Sequence, residues 1–318
     1  MTARLALSYA PLRRQPEEGQ IVDAPGTFAA PSYALNDPFA AVARRRWLWS
    51  RIVIYGLLTV FAAVYVFPLL LIFSNSFRTG RDVFENGVIA FPERFSLDAY
   101  AYMWTKACVS GMCRGIGGNF LNSLIITVPA TLISTALGLI NGYVLTKWRF
   151  PGANFIFAMM FLGVFMPSQI TLLPWAWIIG QLGLSNNVWG LMLIHSVMGI
   201  SFATLFCRNF FVQIPDEIVK AASIDGAGFW RIFWKVMLPL ATPIIIVTII
   251  WQFTSIWNEY LFGMIFTRYD QQPITVALMG VRAGGSSAAV MIAILPPLLI
   301  YFFGGRYFVR GLMQGAVK

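Results

Sequence analysis

The stretch Ile214–Pro243, IPDEIVKAASIDGAGFWRIFWKVMLPLATP, lies between two long apolar runs and reads as two short helices joined by a turn. Pro215 suits a first helical position, and Asp216 and Glu217 follow where the helix dipole favours negative charge. Ile218, Ala221 and Ala222 share a face at spacings of three and four. Two alanines there leave a shallow surface that another backbone could approach closely. Asp225-Gly226 supplies the stop, with Gly226 able to take the left-handed terminal conformation. A second short helix carries Phe229, Ile232, Phe233, Val236 and Met237 on one stripe, and Leu238-Pro239 redirects the chain. Two readings fit: a helix pair lying on a lipid surface, or a helix–turn–helix knob that docks onto a partner.

Outward from this loop (209–238) the charges thin out. The run from Phe150 to Cys207 carries no acid or base except His195, and it is long enough for two helices of about 20 residues each. Pro174 and Gly180–Asn187 read as the turn between them. Residues 52–77, 115–146, 236–258 and 283–305 are the other uncharged runs. Six helices follow, at about 52–76, 119–145, 153–173, 188–207, 239–263 and 284–305.

Composition supports this reading. The chain is 58% apolar and 11% charged over 318 residues, with a mean hydropathy of +0.69; soluble domains run near 45–50% and 25%. The fold class is therefore an all-α polytopic membrane protein. Three cysteines exclude a disulfide framework, and a single histidine leaves no histidine-built metal or acid–base centre. No phosphate-cradling glycine loop, His-Glu-x-x-His, Cys-x-x-Cys or Gly-x-Ser-x-Gly occurs, so an enzyme is not expected. The net charge of +10 raises nucleic acid as a partner, but no compact basic block with interleaved aromatics is present. Placing the N-terminus inside puts 16 of the 23 basic residues on the inner side, for an inner net charge of +9 against +1 outside. The excess is topological, and both termini are expected in the cytoplasm. Residues 1–43, rich in Pro, Ala and Gly, read as a disordered cytoplasmic extension before the 44–318 membrane domain. Arg44-Arg45-Arg46 suits lipid headgroups.

Polar side chains within spans usually face a bundle interior or an aqueous path. Thr248, Gln252, Ser255 and Glu259 form one stripe on the fifth helix, and Trp257 beside Asn258 offers an aromatic face of the kind sugars stack upon. The stripe fits either a substrate path or bonding between neighbouring helices; Thr127, Thr131, Ser134 and Gly138 on the second helix read as close packing. Near-neutral charge in the outer loop 78–118 argues against phosphorylated substrates. Topology places Cys108 and Cys113 outside, where disulfides persist. Four residues separate them and Gly111 permits a tight loop, so a disulfide or two free outer thiols are the alternatives. Cys207 should stay reduced.

The run Ala221-Ala222, Gly226 and Val236-x-Leu238-Pro239, preceded by Ile214-Pro215-Asp216-Glu217 and followed by Pro243, resembles the EAA loop of ABC importer permeases. The resemblance is closest to sugar permeases of the maltose-permease type. It extends through Asn122-Ser123-Leu124, Met166-Pro167, Trp257-Asn258-Glu259-Tyr260 and the tail Arg306–Leu312, covering roughly residues 45–318. It implies the type I importer permease fold in a bacterial cytoplasmic (inner) membrane. It implies a second homologous permease, two ATPase subunits that carry ATP and Mg, and an extracytoplasmic sugar-binding protein, with no cofactor on this chain. Glu217, Lys220, Ala221, Ala222, Asp225 and Gly226 would then couple to the ATPase, with Lys220 standing where the family usually has glutamate. The same resemblance puts sugar contacts on the outer half of the fifth helix and leaves open how much of the sugar the partner permease holds. Ala107–Gly115 resembles an insertion in glucose/mannose permeases. The competing readings are an ion- or proton-coupled secondary carrier, which usually shows inverted repeats or intramembrane charge relays, and a membrane-embedded transferase, which needs clustered acids or histidines.

Overall fold

A computed structural model describes residues 38–316, apart from 93, 110, 149 and 282–285. The bulk of the expected 1–43 extension lies outside the described residues. Residues 38–43, expected within it, are instead the opening turns of α1 (Pro38–Ser76), where Pro38 stands at a helix start that tolerates it. The chain divides into two units after Ala63. Of the first, residues 38–63 are described, all of them helical; the remainder of the fold belongs to the second.

Beyond α1, the segment before α4 holds α2 (Gly80–Asn86), α3 (Asp98–Thr105) and a two-stranded hairpin, β1 (Cys108–Val109) and β2 (Met112–Cys113). Arg78 organises it. The guanidinium, 2% exposed, donates to Asp82, to Asn75 and to the carbonyls of Gly87 and Ala90, so the buried charge is fully bonded. Arg78 and then Asn86 hold the Asp82 carboxyl down at about 2. The pair therefore stays charged from neutral pH down through the ordinary carboxylate range.

Then come α4 (Gly117–Lys147), α5 (Ala153–Phe165), α6 (Leu172–Gln181), α7 (Val188–Gln213), α8 (Asp216–Ile224), α9 (Phe229–Ile232), α10 (Leu238–Leu240), α11 (Thr242–Trp257), α12 (Leu261–Phe266), α13 (Ile274–Gly280) and α14 (Ser286–Ala316). Among the described residues four helices are long and apolar enough to cross a membrane, or up to six if each of two bent pairs counts as one span. The first bend falls where a straight helix was expected; the second lies two residues beyond Leu238-Pro239, where the chain was expected to turn. The 153–173 helix breaks at Met166-Pro167, and its halves turn by 104°. Pro167 has no N–H to give, and the residue before a proline is pushed out of the helical region, as the ψ of 126° at Met166 shows. Pro174, expected in a turn, sits instead in the first turns of α6; the turn is made by Gly183 and Asn186, both at positive φ.

The second bend, 76°, separates Phe229–Leu240 from α11 at Ala241. Pro243 cannot donate to Pro239, and the Thr242 hydroxyl donates to that carbonyl instead. The helix expected over 239–263 also stops at Trp257, and α12 begins afresh at Leu261. Residues 209–213, expected in the loop, continue α7.

The centre is the contact between α4 and α7. A Cβ on Gly138 would lie 2.4 Å from the Ala203 side chain, and one on Gly142 would lie 2.9 Å from that of Cys207. Thr127, Thr131 and Ser134 are buried on the same face of α4. The core continues toward the N-terminal end of α4 around Met103, Ile116 and Trp257, and toward its C-terminal end around Tyr143, Phe211 and Met237.

Gly138→Ala should cost about 1–3 kcal/mol through overpacking and lower the melting temperature of the detergent-solubilised chain. Gly118→Ala, also in α4 but with nothing near its added carbon, should leave melting unchanged or raise it, because glycine within a helix costs roughly 0.5–1 kcal/mol. Equal melting shifts for the two variants would contradict the seam.

Candidate functional site

At the loop, α8 starts after Pro215 and closes at Asp225 and Gly226, with Gly226 at φ +76°. The Gly226 and Ala227 amides bond back to the Ser223 and Ala222 carbonyls and end the helix. A Cβ at Gly226 would meet nothing within 4 Å, so the requirement there is conformational, roughly 1 kcal/mol for a residue with a side chain. The two alanines do not share a face. Ala222 turns inward with Val219 onto the Tyr143–Phe211–Met237 cluster, whereas Ala221 is exposed with Glu217, Ile218, Lys220 and Asp225. Ile224 is 87% exposed. The outward surface is thus Ile218, Ala221 and Ile224 rimmed by Glu217, Lys220 and Asp225. Ala222, expected on the contact face, belongs to the chain's own packing.

The second segment, Phe229–Met237, buries Ile232, Phe233 and Met237, and residues 233–237 widen into a π-helical turn. Phe229 packs between Tyr143 and Trp148 of the α4 end.

On α11 the polar stripe divides in two. Thr248 is fully buried and donates to the Ile244 carbonyl within its own helix. Gln252, 4% exposed, donates to Ser134 Oγ at 3.0 Å and to the Gly199 carbonyl at 2.8 Å, tying α11 to α4 and α7. Ser255 and Asn258 are exposed. Trp257, expected as an open aromatic face, is 2% exposed: its Nε1 donates to the Ala293 carbonyl, and its ring stacks on Phe253. It is core. The reason is azimuth, since Trp257 projects on the side of α11 that meets α14 while Ser255 and Glu259 project on the other.

Glu259 does two things. Its carboxylate accepts from the amides of Phe262 and Gly263 at 2.9–3.1 Å, capping α12. It also reaches a recess of about 250 Å³ that contains Ser168, His195, Gln252 and Ser255, with Phe202 and Trp251 in the wall. Glu259 Oε2 is 3.8 Å from His195 Nε2. The open aromatic in this neighbourhood is Trp251, 46% exposed and stacked on Phe202. The stripe alone includes neither His195, which comes from the facing α7, nor Ser168, which enters because of the Pro167 break. Trp251 was legible, being four residues before Ser255. Among the described residues no cluster of His, Cys, Asp or Glu could hold a metal.

In the β1–β2 hairpin, Cys108 and Cys113 stand opposite each other and are joined as a disulfide. Gly111, at φ +91°, makes the turn, and Val109 also pairs with Val281. Cys207 is free and fully buried.

Residues 134–314 match the family described as binding-protein-dependent transport system inner membrane component. A probable ABC transporter permease of Pyrococcus horikoshii is 38% identical over 281 residues, spanning 86% of this chain and 99% of that one. A diacetylchitobiose uptake permease of Streptomyces coelicolor is 32% identical, over 65% of this chain and 66% of its own. In the crystal structure of a bacterial ABC transporter that imports the acidic polysaccharide alginate, one chain superposes with a TM-score of 0.69 at 23% identity, covering 83% of this chain and 98% of that one.

Mass spectrometry of unreduced peptides should find the fragment holding Cys108 and Cys113 lighter by two hydrogens than its reduced form. Cys207 should alkylate only after unfolding. Two free outer thiols would contradict the clip.

Proposed function

This chain belongs to the family of binding-protein-dependent transport system inner membrane components, and from that membership we propose that it is the permease subunit of an ABC importer whose cargo is carbohydrate. Its working partners are a second permease, two ATPase subunits and an extracytoplasmic binding protein; ATP and Mg reside on the ATPases, and this chain catalyses nothing itself. It lies in the inner membrane with both termini cytoplasmic, in keeping with its inner net charge of +9.

The observation that carries the reading is the exposed apolar knob of α8. Ile218, Ala221 and Ile224 are exposed together on α8 and rimmed by Glu217, Lys220 and Asp225, the arrangement of apolar residues within a polar rim that marks an interaction surface. On the inner side, the covering partner is the ATPase. Family membership leaves the ion-coupled carrier and the transferase without support.

The sugar path runs by Ser255, Asn258 and Glu259, where the recess combines carboxylate, hydroxyl and imidazole groups with the Trp251 ring. Hydroxyl-rich ligands need such mixed donors and acceptors beside an apolar wall. Gln252 closes the inner end as a helix tie, and Thr248 and Trp257 are structural. A carbohydrate cargo agrees with the uptake named for the Streptomyces relative and with the resemblance to sugar permeases. The 107–115 hairpin keeps glucose and mannose first among the sugars to try.

The test is ATPase stimulation and uptake by the complete complex with its binding protein, over monosaccharides and disaccharides. Ile224→Asp should abolish coupled uptake while sugar binding by the binding protein is unchanged. Uptake that persists without the ATPase and collapses with an uncoupler would refute the proposal. Glu259→Gln keeps an acceptor for the α12 cap and removes the charge; it should lower sugar-stimulated turnover with assembly intact, whereas Glu259→Ala should also lose about 1 kcal/mol of stability with the cap. Wild-type kinetics in Glu259→Gln would remove the carboxylate from the path.

A further inference from the structure

The inner end of α4 holds both arms of the coupling loop, although no covalent neighbour links them. Lys147, with a side chain only 3% exposed, donates from Nζ to Asp216 Oδ1 at 2.8 Å and to the Ile214 carbonyl, 69 and 67 residues away. Those acceptors flank Pro215, the joint at which α7 passes into α8. The second arm is held one helical turn away. Phe229 lies against the rings of Tyr143 and Trp148, with centroids 5.0 and 4.9 Å off, and its carbonyl accepts a long bond of 3.5 Å from the Tyr143 hydroxyl. The segments before and after the Gly226 turn are thus fastened to a single turn of α4.

The same helix is fastened at its outer end. Asn119 Nδ2 donates to the Gln272 carbonyl at 2.8 Å, and the Ile274 amide donates to Ser123 Oγ at 2.8 Å. Between the two ends run 31 residues, roughly 46 Å of helix at 1.5 Å per residue. α4 is one continuous helix over this length, with Pro129 inside it, and its close seam with α7 braces it against bending.

We propose that α4 is a strut that carries displacement of the loop to the outer turn 270–274, and that Lys147 is the positioning residue that makes the loop and the strut one body. This rests on the reading of the loop as the ATPase contact. Covalently, the loop is continuous only with α7 and with the α10–α11 segment, and the former connection passes through the Pro215 joint. Without the Lys147 bond, α8 meets α4 through the apolar packing of Val219 and Ala222 on the Tyr143 cluster, a looser grip at the Pro215 joint, and less of the loop's displacement reaches the outer face for each ATP hydrolysed.

The experiment uses the complete transporter in proteoliposomes with its binding protein and cargo, and reads the sugar moved per ATP hydrolysed. Lys147→Met keeps the apolar stem and removes the charge; it should lower that ratio roughly fivefold or more, the range expected for a coupling interaction, with the ATPase subunits still co-purifying. Lys147→Glu combined with Asp216→Lys should recover most of the ratio, a rescue that mere loss of packing would not show. If Lys147→Met does not assemble, Asp216→Asn carries the same test, because its side chain is 35% exposed and the variant removes the ion pair while the Ile214 carbonyl still accepts from Lys147. A wild-type ratio in either assembled variant, or a charge swap no better than the single changes, would overturn the strut. The outcomes also separate the two proposals. Normal coupling in Ile224→Asp refutes the loop as an ATPase contact, whereas uncoupling by Ile224→Asp without any effect at Lys147 refutes only the strut.

Discussion

The close approach of α4 to α7 is the constraint on which the rest of this fold depends. Lipid tails are as apolar as leucine, so helices in a bilayer gain little by hiding apolar surface from each other; they associate through close packing and interhelical hydrogen bonds. Here Gly138, Gly142 and Gly199 each stand where a Cβ would strike the opposite helix or a side chain wedged beside it. The approach also creates a polar niche. Ser134 on one helix and the Gly199 carbonyl on the other lie close enough for one amide, that of Gln252, to bond both. A third helix is recruited by two bonds in apolar surroundings, where leaving the amide unbonded would cost a few kcal/mol. The recess adjoins this junction through Gln252 and the Ile214–Pro243 loop packs at the far ends of α4 and α7, so the positions of both follow from three glycines and a glutamine.

Broken helices supply what straight ones could not. A span interrupted in the bilayer exposes backbone groups that lipid cannot satisfy, and such breaks survive only where the protein supplies partners or a cavity. At Pro167 the break delivers Ser168 to the recess. At Asn258 it ends α11 early enough for Glu259 to cap the next helix, so the one acid of this region is held by two amides instead of being left bare in an apolar setting. At Ala241 the bend lets the π-widened segment lie across the inner end of the bundle before α11 enters it.

How far this could be read from residues alone varied with the range of the interactions. The apolar runs, the Asp225-Gly226 stop and the small-residue stripe on α4 are local signals, written in spacing and residue size. Break points were half-legible: Met166-Pro167 and Pro239-x-x-x-Pro243 are visible prolines, but whether a proline kinks a span or splits it depends on the packing around it. Which face meets which partner was not legible. Ala221 and Ala222 are adjacent and alike, yet only the aromatic cluster formed with α4 and α7 turns one inward. Trp257 and Trp251 sit on the same helix, and the choice between core and opening was made by α14. Nothing in the sequence around Lys147 announces an acid 69 residues away.

The clipped hairpin has a practical corollary for anyone who wishes to watch this protein move. The sequence contains three cysteines; two are consumed by each other and the third is sealed in the core. The native chain therefore offers maleimides and spin labels no reactive thiol, provided it is handled without reductant. A single cysteine introduced at the tip of α8 or on the 270–274 turn would be the only position labelled, with no need to strip the natural ones first. Spectroscopic rulers can thus be laid along this permease in an otherwise unaltered background, with buffer chemistry, not mutagenesis, keeping that background silent.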